Sequence, residues 1–157
     1  MNEIRTMGPQ DLEPCKDILA GSAFFTSYGL NPDTVIQGMS DALSDGQSEL
    51  HVAVHNTNVV GFSWVLKRGG FGRSPYLRLL AVDTSVQRSG IGRDLMKALE
   101  ERHRASRDIL LLVTETNHAA RRFYEHLGYE KVGLLTRYTR DDANECLYRK
   151  IREREDS

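Results

Sequence analysis

Cysteine is nearly missing from this chain. Cys15 and Cys146 are the only two, and they lie far apart. Two distant thiols make neither a disulfide framework nor a zinc knuckle, so a reducing, cytoplasmic setting is expected. Long apolar runs are missing too. No stretch approaches the roughly 20 residues of a membrane-spanning helix. The opening Met1-Asn2-Glu3-Ile4-Arg5 lacks the apolar core of a secretory signal. Neither sign of charge dominates: 21 basic and 22 acidic residues give a net charge of -1. That balance argues against broad nucleic-acid or membrane-surface binding. Repeats, low-complexity tracts and interior linkers are absent, and no proline follows Pro75.

What remains is a chain of 157 residues, 39% hydrophobic and 27% charged. That is enough for one domain with one core, spanning 1–157, with a charged tail at 152–157 expected to fray. Glu3 to Thr6 suits an edge strand. Pro9 suits a helix start, and Leu12, Cys15, Ile18 and Leu19 mark one helical face ending near Gly21. Phe24, Phe25, Tyr28 and Leu30 follow without a clear period; they suit packing on the core or lining an entrance, with packing favoured. Asn31-Pro32 reads as an N-cap and first helical residue before Val35, Ile36, Met39 and Leu43. Alternation from Leu50 to His55, a turn at Asn56-Thr57-Asn58 and a return strand from Val59 to Leu66 make a hairpin. Lys67 to Pro75, with three glycines, reads as a mobile connector. Tyr76 to Val82 is the next strand.

From Val82 the pattern changes. Gln87-Arg88-Ser89-Gly90-Ile91-Gly92-Arg93 leads into a helix with Ile91, Leu95 and Leu99 stepping by four. Two glycines let backbone N–H groups approach an anion. The helix start adds unpaired N–H groups and the positive end of its dipole. Arg88, Arg93 and Lys97 add charge. The site is not a dinucleotide fingerprint, since Leu95 stands where the third glycine belongs, nor a P-loop, since Gly92 is followed by Arg93-Asp94. Ile109 to Val113 reads as a strand buried on both faces, completing a parallel βαβ unit. Asn117 opens another helix, with Ala120, Phe123, Tyr124 and Leu127 on one face and Gly128 as its stop. Tyr129 to Thr139 is extended, Asp141 to Asn144 turns, and Glu145 to Ile151 returns.

Gln87-x-x-Gly90-x-Gly92 resembles the pyrophosphate loop of the GCN5-related N-acetyltransferases, the GNAT family. Asn117-x-x-Ala120-x-x-Phe123-Tyr124-x-x-x-Gly128-Tyr129 is similar to that family's second signature, at the expected remove. The element order also matches. The resemblance implies a mixed, mostly antiparallel sheet of six to seven strands with flanking helices and a splayed parallel βαβ unit. It implies acetyl-CoA as cosubstrate and a small-molecule or peptide amine as acceptor. By the same resemblance Leu80, Ala81 and Val82 line the pantetheine, and the Val82 amide points at the thioester carbonyl. Gln87, Arg88, Ser89, Gly90, Ile91, Gly92 and Arg93 hold the pyrophosphate, and Asn117, Ala120 and Phe123 contact the cofactor. Tyr124 serves as general acid. Dimerisation is common in the family, so a homodimer is among the expectations.

The chemistry is consistent with those roles. A backbone N–H suits an oxyanion and a tyrosine hydroxyl suits a departing thiolate. The base is less plain. The positions where family branches carry a Glu hold Tyr76 and Leu112 here, which leaves Glu115, His51 and His55, or no dedicated base. His51 and His55 lie on a strand and are not a helical metal pair, so no metal site is expected. Tyr138 resembles part of a Tyr-Tyr pair in enzymes that acetylate protein N-termini. Two other functions compete: a non-catalytic acyl-CoA-binding regulatory module and a dinucleotide-binding oxidoreductase. The retained Tyr124 favours the enzyme over the first, and Leu95 disfavours the second.

Overall fold

The computed structural model describes residues 2–86 and 90–153. Seven strands form one sheet in the order β1-β2-β3-β4-β5-β7-β6. They are β1 (Glu3–Thr6), β2 (Ser48–His55), β3 (Asn58–Gly70), β4 (Ser74–Val82), β5 (Asp108–Thr114), β6 (Glu130–Arg140) and β7 (Ala143–Ile151). Only the β4–β5 pair is parallel. Helices α1 (Leu12–Ala20), α2 (Ala23–Ser27) and α3 (Pro32–Ala42) precede β2, α4 (Ile91–Arg102) joins β4 to β5, and α5 (His118–His126) joins β5 to β6. This is the expected fold class. Among the described residues no helix is long and apolar enough to cross a membrane.

Local chemistry sets the helix starts. The Asn31 side chain accepts from the Asp33 and Thr34 amides, and Pro32 fills the first turn. Ser22 Oγ accepts from the Phe25 amide and starts α2. Phe24, Phe25 and Tyr28 therefore sit in and just after a short helix.

The helices pack on opposite faces of the sheet. Ile18 and Leu19 of α1 and Met39 of α3 cover Leu50, Val52, Phe62 and Trp64. Met96 and Leu99 of α4 and Tyr124 of α5 cover Leu111, Val113, Cys146 and Tyr148 on the other face. Side chains alternate along β5, so Leu110, Leu112 and Thr114 face the α1–α3 side. Each large apolar side chain buried this way contributes on the order of 1.5–3 kcal/mol.

One expectation is corrected. Lys67 to Pro75 is not a mobile connector: β3 runs to Gly70 and β4 starts at Ser74, so three residues close a tight hairpin. Phe71 and Gly72 turn it with positive φ. The other glycines serve close approach. A Cβ on Gly69 would lie 2.6 Å from Leu66 Cβ, and one on Gly70 would lie 2.7 Å from Leu110 Cδ1. The last hairpin is also tighter than expected: β6 ends at Arg140 and β7 begins at Ala143, so Asp141 and Asp142 alone make the turn.

Candidate active site

β4 and β5 pair at Tyr76–Leu110 and Leu77–Leu111 and then part. Asp108 holds the closed end, accepting from Ser74 Oγ on β4 and from Arg149 Nε on β7 at 2.7 Å. The open end contains a cavity of about 250 Å³. β4, β5, β7, α5 and the α2 segment all contribute to its wall.

Backbone groups line one side. The Asp83 amide donates to Val60 O at 2.8 Å, so Asp83 faces β3. Successive residues of an antiparallel strand turn to alternate sides, and the register from Gly61–Val82 to Ser63–Leu80 is unbroken. Leu80 and Val82 therefore turn their N–H and C=O groups away from β3, toward the gap.

Just beyond β4, Gly90 caps α4 with φ 91°, a conformation glycine adopts without a Cβ penalty. The Asp94 amide makes the first helical bond, to Gly90 O, so the amides of Ile91, Gly92 and Arg93 have no intrahelical acceptor. Gly92 lets α5 come close, since a Cβ there would sit 3.1 Å from Phe123 Cζ. The expected site residues Gln87, Arg88 and Ser89 lie outside the described residues.

α5 supplies the facing wall. Asn117 Oδ1 caps the helix by accepting from the Ala120 amide at 3.2 Å, which leaves its Nδ2 as a donor. Asn117, Ala120 and Tyr124 all line the cavity. Tyr124 is buried between the rings of Phe123 and Tyr129, at centroid distances of 5.0 and 5.8 Å. Burial pushes its phenol well above the usual tyrosine value, so the proton stays on the oxygen at neutral pH.

The remaining base candidates lie elsewhere. Glu115 is not on the cavity wall; its Oε1 accepts from Asn144 Nδ2 at 3.1 Å. His51 sits on β2 near Arg102, Glu49 and His103, and burial first, then Arg102, lowers its pKa to about 4. His55 borders a separate cavity beside Val59 and Asp83. Tyr138 is exposed on β6. Among the described residues no cluster of His, Cys, Asp and Glu can hold a metal.

On the opposite wall the sequence favoured core packing over lining an entrance for four residues, and it did not single out Thr114, Thr139 or Glu145. Phe24, Phe25, Tyr28 and Leu30 all line the cavity, and Phe25 and Leu30 also pack on the core. Thr114, Thr139 and Glu145 complete that side.

The comparisons agree with this fold. The model of the acetyltransferase (GNAT) domain matches residues 17–139. A search of curated protein sequences returns no match. A protein from Desulfovibrio desulfuricans assigned to the GNAT family superposes with TM-score 0.83 at 20% identity, covering 96% of this chain and 99% of its own. The ribosomal-protein-S18-alanine N-acetyltransferase of Escherichia coli gives 0.77 at 21%, covering 100% and 98%. The aminoglycoside 6'-N-acetyltransferase of Enterococcus faecium gives 0.75 at 19%, covering 98% and 99%. At these identities the likeness is one of fold. The family model spans well over half the sequence, and the chain belongs to the GNAT family of N-acetyltransferases.

Proposed function

We propose that this chain moves an acetyl group from acetyl-CoA directly to a primary amine in a ternary complex. The observation that carries this reading is the parting of β4 and β5, with the Leu80 and Val82 backbone groups on one side and Tyr124 on the other. The chain's groups fit that cosubstrate chemically. Amides without an intrahelical acceptor at an α4 start behind a left-handed glycine suit a pyrophosphate. Unpaired strand groups suit the amides of a pantetheine arm.

Acetyl-CoA supplies the acetyl group as an activated thioester. In this reading Gly90, Ile91, Gly92 and Arg93, with Gln87, Arg88 and Ser89, bind the pyrophosphate. Leu80 and Val82 hydrogen-bond the arm through their backbone groups, Ala81 lies between them with its own backbone turned to β3, and Asn117 donates to the arm through Nδ2. Ala120 and Phe123 form its apolar wall. The Val82 N–H stabilises negative charge developing on the carbonyl oxygen. Tyr124, a neutral phenol at physiological pH, gives its proton to the departing sulfur. The acceptor is an amine; two structural neighbours are named for a ribosomal-protein alanine and for aminoglycosides. Two buried free cysteines fit a reducing, cytoplasmic setting.

The test is thiol release from acetyl-CoA against a panel of polyamines, amino acids and short peptides. Release with at least one amine is expected. Binding of acetyl-CoA with no release across the panel would favour a non-catalytic acyl-CoA-binding module instead.

A further inference from the structure

The chain buries three acidic side chains among its described residues: Asp11, Asp108 and Glu145. Two are paired with arginine. Arg5 donates to Asp11 at 2.7 Å and Arg149 to Asp108 at 2.7 Å. Glu145, 5% exposed, is different. Tyr28 Oη donates to its Oε1 at 2.5 Å, Thr139 Oγ1 at 3.1 Å, and Thr114 Oγ1 lies 3.2 Å from both oxygens. None of the ion pairs among the described residues includes it. Arg140, which reaches the Tyr28 carbonyl, pairs with Asp142. Arg78, on the same cavity, lies over the Trp64 ring at 4.5 Å. Three hydroxyls hydrogen-bond the Glu145 carboxyl, and among the described residues no arginine or lysine pairs with it.

Its position is equally specific. Glu145 is the register partner of Thr114, on the sheet face opposite Val113 and Tyr124. Because β4 and β5 part there, both Glu145 and Tyr124 still reach the same cavity. One side chain enters from each face of the sheet.

We propose that Glu145 is the seat of the acceptor: it binds the ammonium of the amine to be acetylated, on the side of the cleft opposite Tyr124. This rests on the reading of the cleft as the acetyl-transfer site. Phe24, Phe25 and Leu30 line the same cavity as the carboxylate, so the acceptor carries its ammonium on an apolar body. Glu145 takes one proton from the ammonium and passes it to solvent. The neutral nitrogen then forms the N–C bond as the C–S bond breaks. The sulfur takes the Tyr124 proton, and the second proton lost from nitrogen restores the phenol. Atoms and charge balance, with no further reactant.

The probe is phenethylamine, with 2-phenylethanol as the same body without the cation. Each is titrated calorimetrically into wild type, Glu145→Gln and Glu145→Asp, with and without CoA. The wild type is expected to prefer the amine by about tenfold or more, the scale of a charge-assisted contact. Glu145→Gln should abolish the preference and Glu145→Asp should keep part of it, with CoA affinity unmoved in both. With the amine as acceptor, kcat/KM should fall in Glu145→Gln while KM for acetyl-CoA stays. No preference in the wild type, or one that survives in Glu145→Gln, overturns the proposal. So does a preference lost equally in both variants together with folding, since the carboxylate would then be only a strut between the α2 segment and β7. Wild type that prefers the amine but fails to bind CoA would instead refute the acetyl-CoA reading and leave Glu145 as an ammonium site.

Discussion

The two sides of the cleft are built from different materials. The α4–α5 side is made of backbone amides, glycines and aromatic rings: Gly90, Gly92, Phe123 and Tyr124. The α2–β7 side is made of hydroxyls around a carboxylate: Tyr28, Thr114, Thr139 and Glu145. The first suits a ligand held mainly by its phosphates and amides, the second a cation. In the proposed reading the first side takes the donor and the second the acceptor. Variants on the two sides should therefore fail in different ways.

Tyr124→Phe should give the largest effect. Removing the proton donor without moving the ring should lower kcat on the order of 10²-fold, as for other general acids. Calorimetry should show acetyl-CoA affinity within about twofold of wild type, because one neutral hydrogen bond exchanged with water contributes little net free energy. Unchanged turnover would remove Tyr124 from the chemistry.

Gly92→Val comes next, and it should break the donor side alone. Even a Cβ would press on Phe123 at 3.1 Å, and valine adds two methyls. Acetyl-CoA affinity should fall about tenfold or more, with overpacking costing roughly 1–3 kcal/mol of stability by denaturant titration. Affinity at the wild-type level would show that α4 and α5 can part without harm.

Tyr28→Phe should be milder and opposite in kind. It removes one of the three hydroxyls on Glu145, a loss of about 0.5–1.5 kcal/mol. KM for the acceptor should move several-fold, while KM for acetyl-CoA stays. An equal change in both constants would erase the distinction between the sides.

The α4–α5 side of the cleft was legible in the sequence because its parts are close in the chain. Gly90, Gly92, Asn117, Ala120 and Tyr124 fall in two short motifs, and each motif sits at the start of a helix. The α2–β7 side was not legible. Glu145 reads in sequence as one strand residue after a turn, and its partner Tyr28 stands 117 residues away. Only the pairing of β5 with β7 and the return of α2 over the gap bring them together. The Phe24–Leu30 stretch hid its role for a related reason: a five-residue helix is too short to show a period. The hairpin at Phe71 was misplaced because glycines needed for close packing at 69 and 70 look like loop glycines in a sequence.

The smallest effects should come from pH and should leave the cleft untouched on the acid side. Burial holds His51 near 4, below its unfolded value of about 6.5. Between those values the unfolded chain binds more protons, so stability is full above 6.5 and declines as pH falls toward 4. His51→Gln should flatten that decline in urea titrations while leaving turnover alone, since His51 is not on the cavity wall. On the alkaline side burial raises Tyr124 above its usual value and raises Tyr76 to about 12. The unfolded chain then loses protons first, so stability is full below pH 10 and declines above it. Tyr124→Phe should lessen that loss; an unchanged alkaline slope would contradict the burial of the phenol.

The central claim is that the gap between β4 and β5 receives acetyl-CoA, and calorimetric titration of the wild-type chain tests it most directly, with CoA and NAD as controls. The account predicts saturable binding of acetyl-CoA and CoA at one site per chain with a dissociation constant on the order of micromolar, about −8 kcal/mol, and no binding of NAD. Failure of both CoA forms to bind would contradict it, and the glycine turn at α4 and the Asn117 cap would then stand as structural features alone.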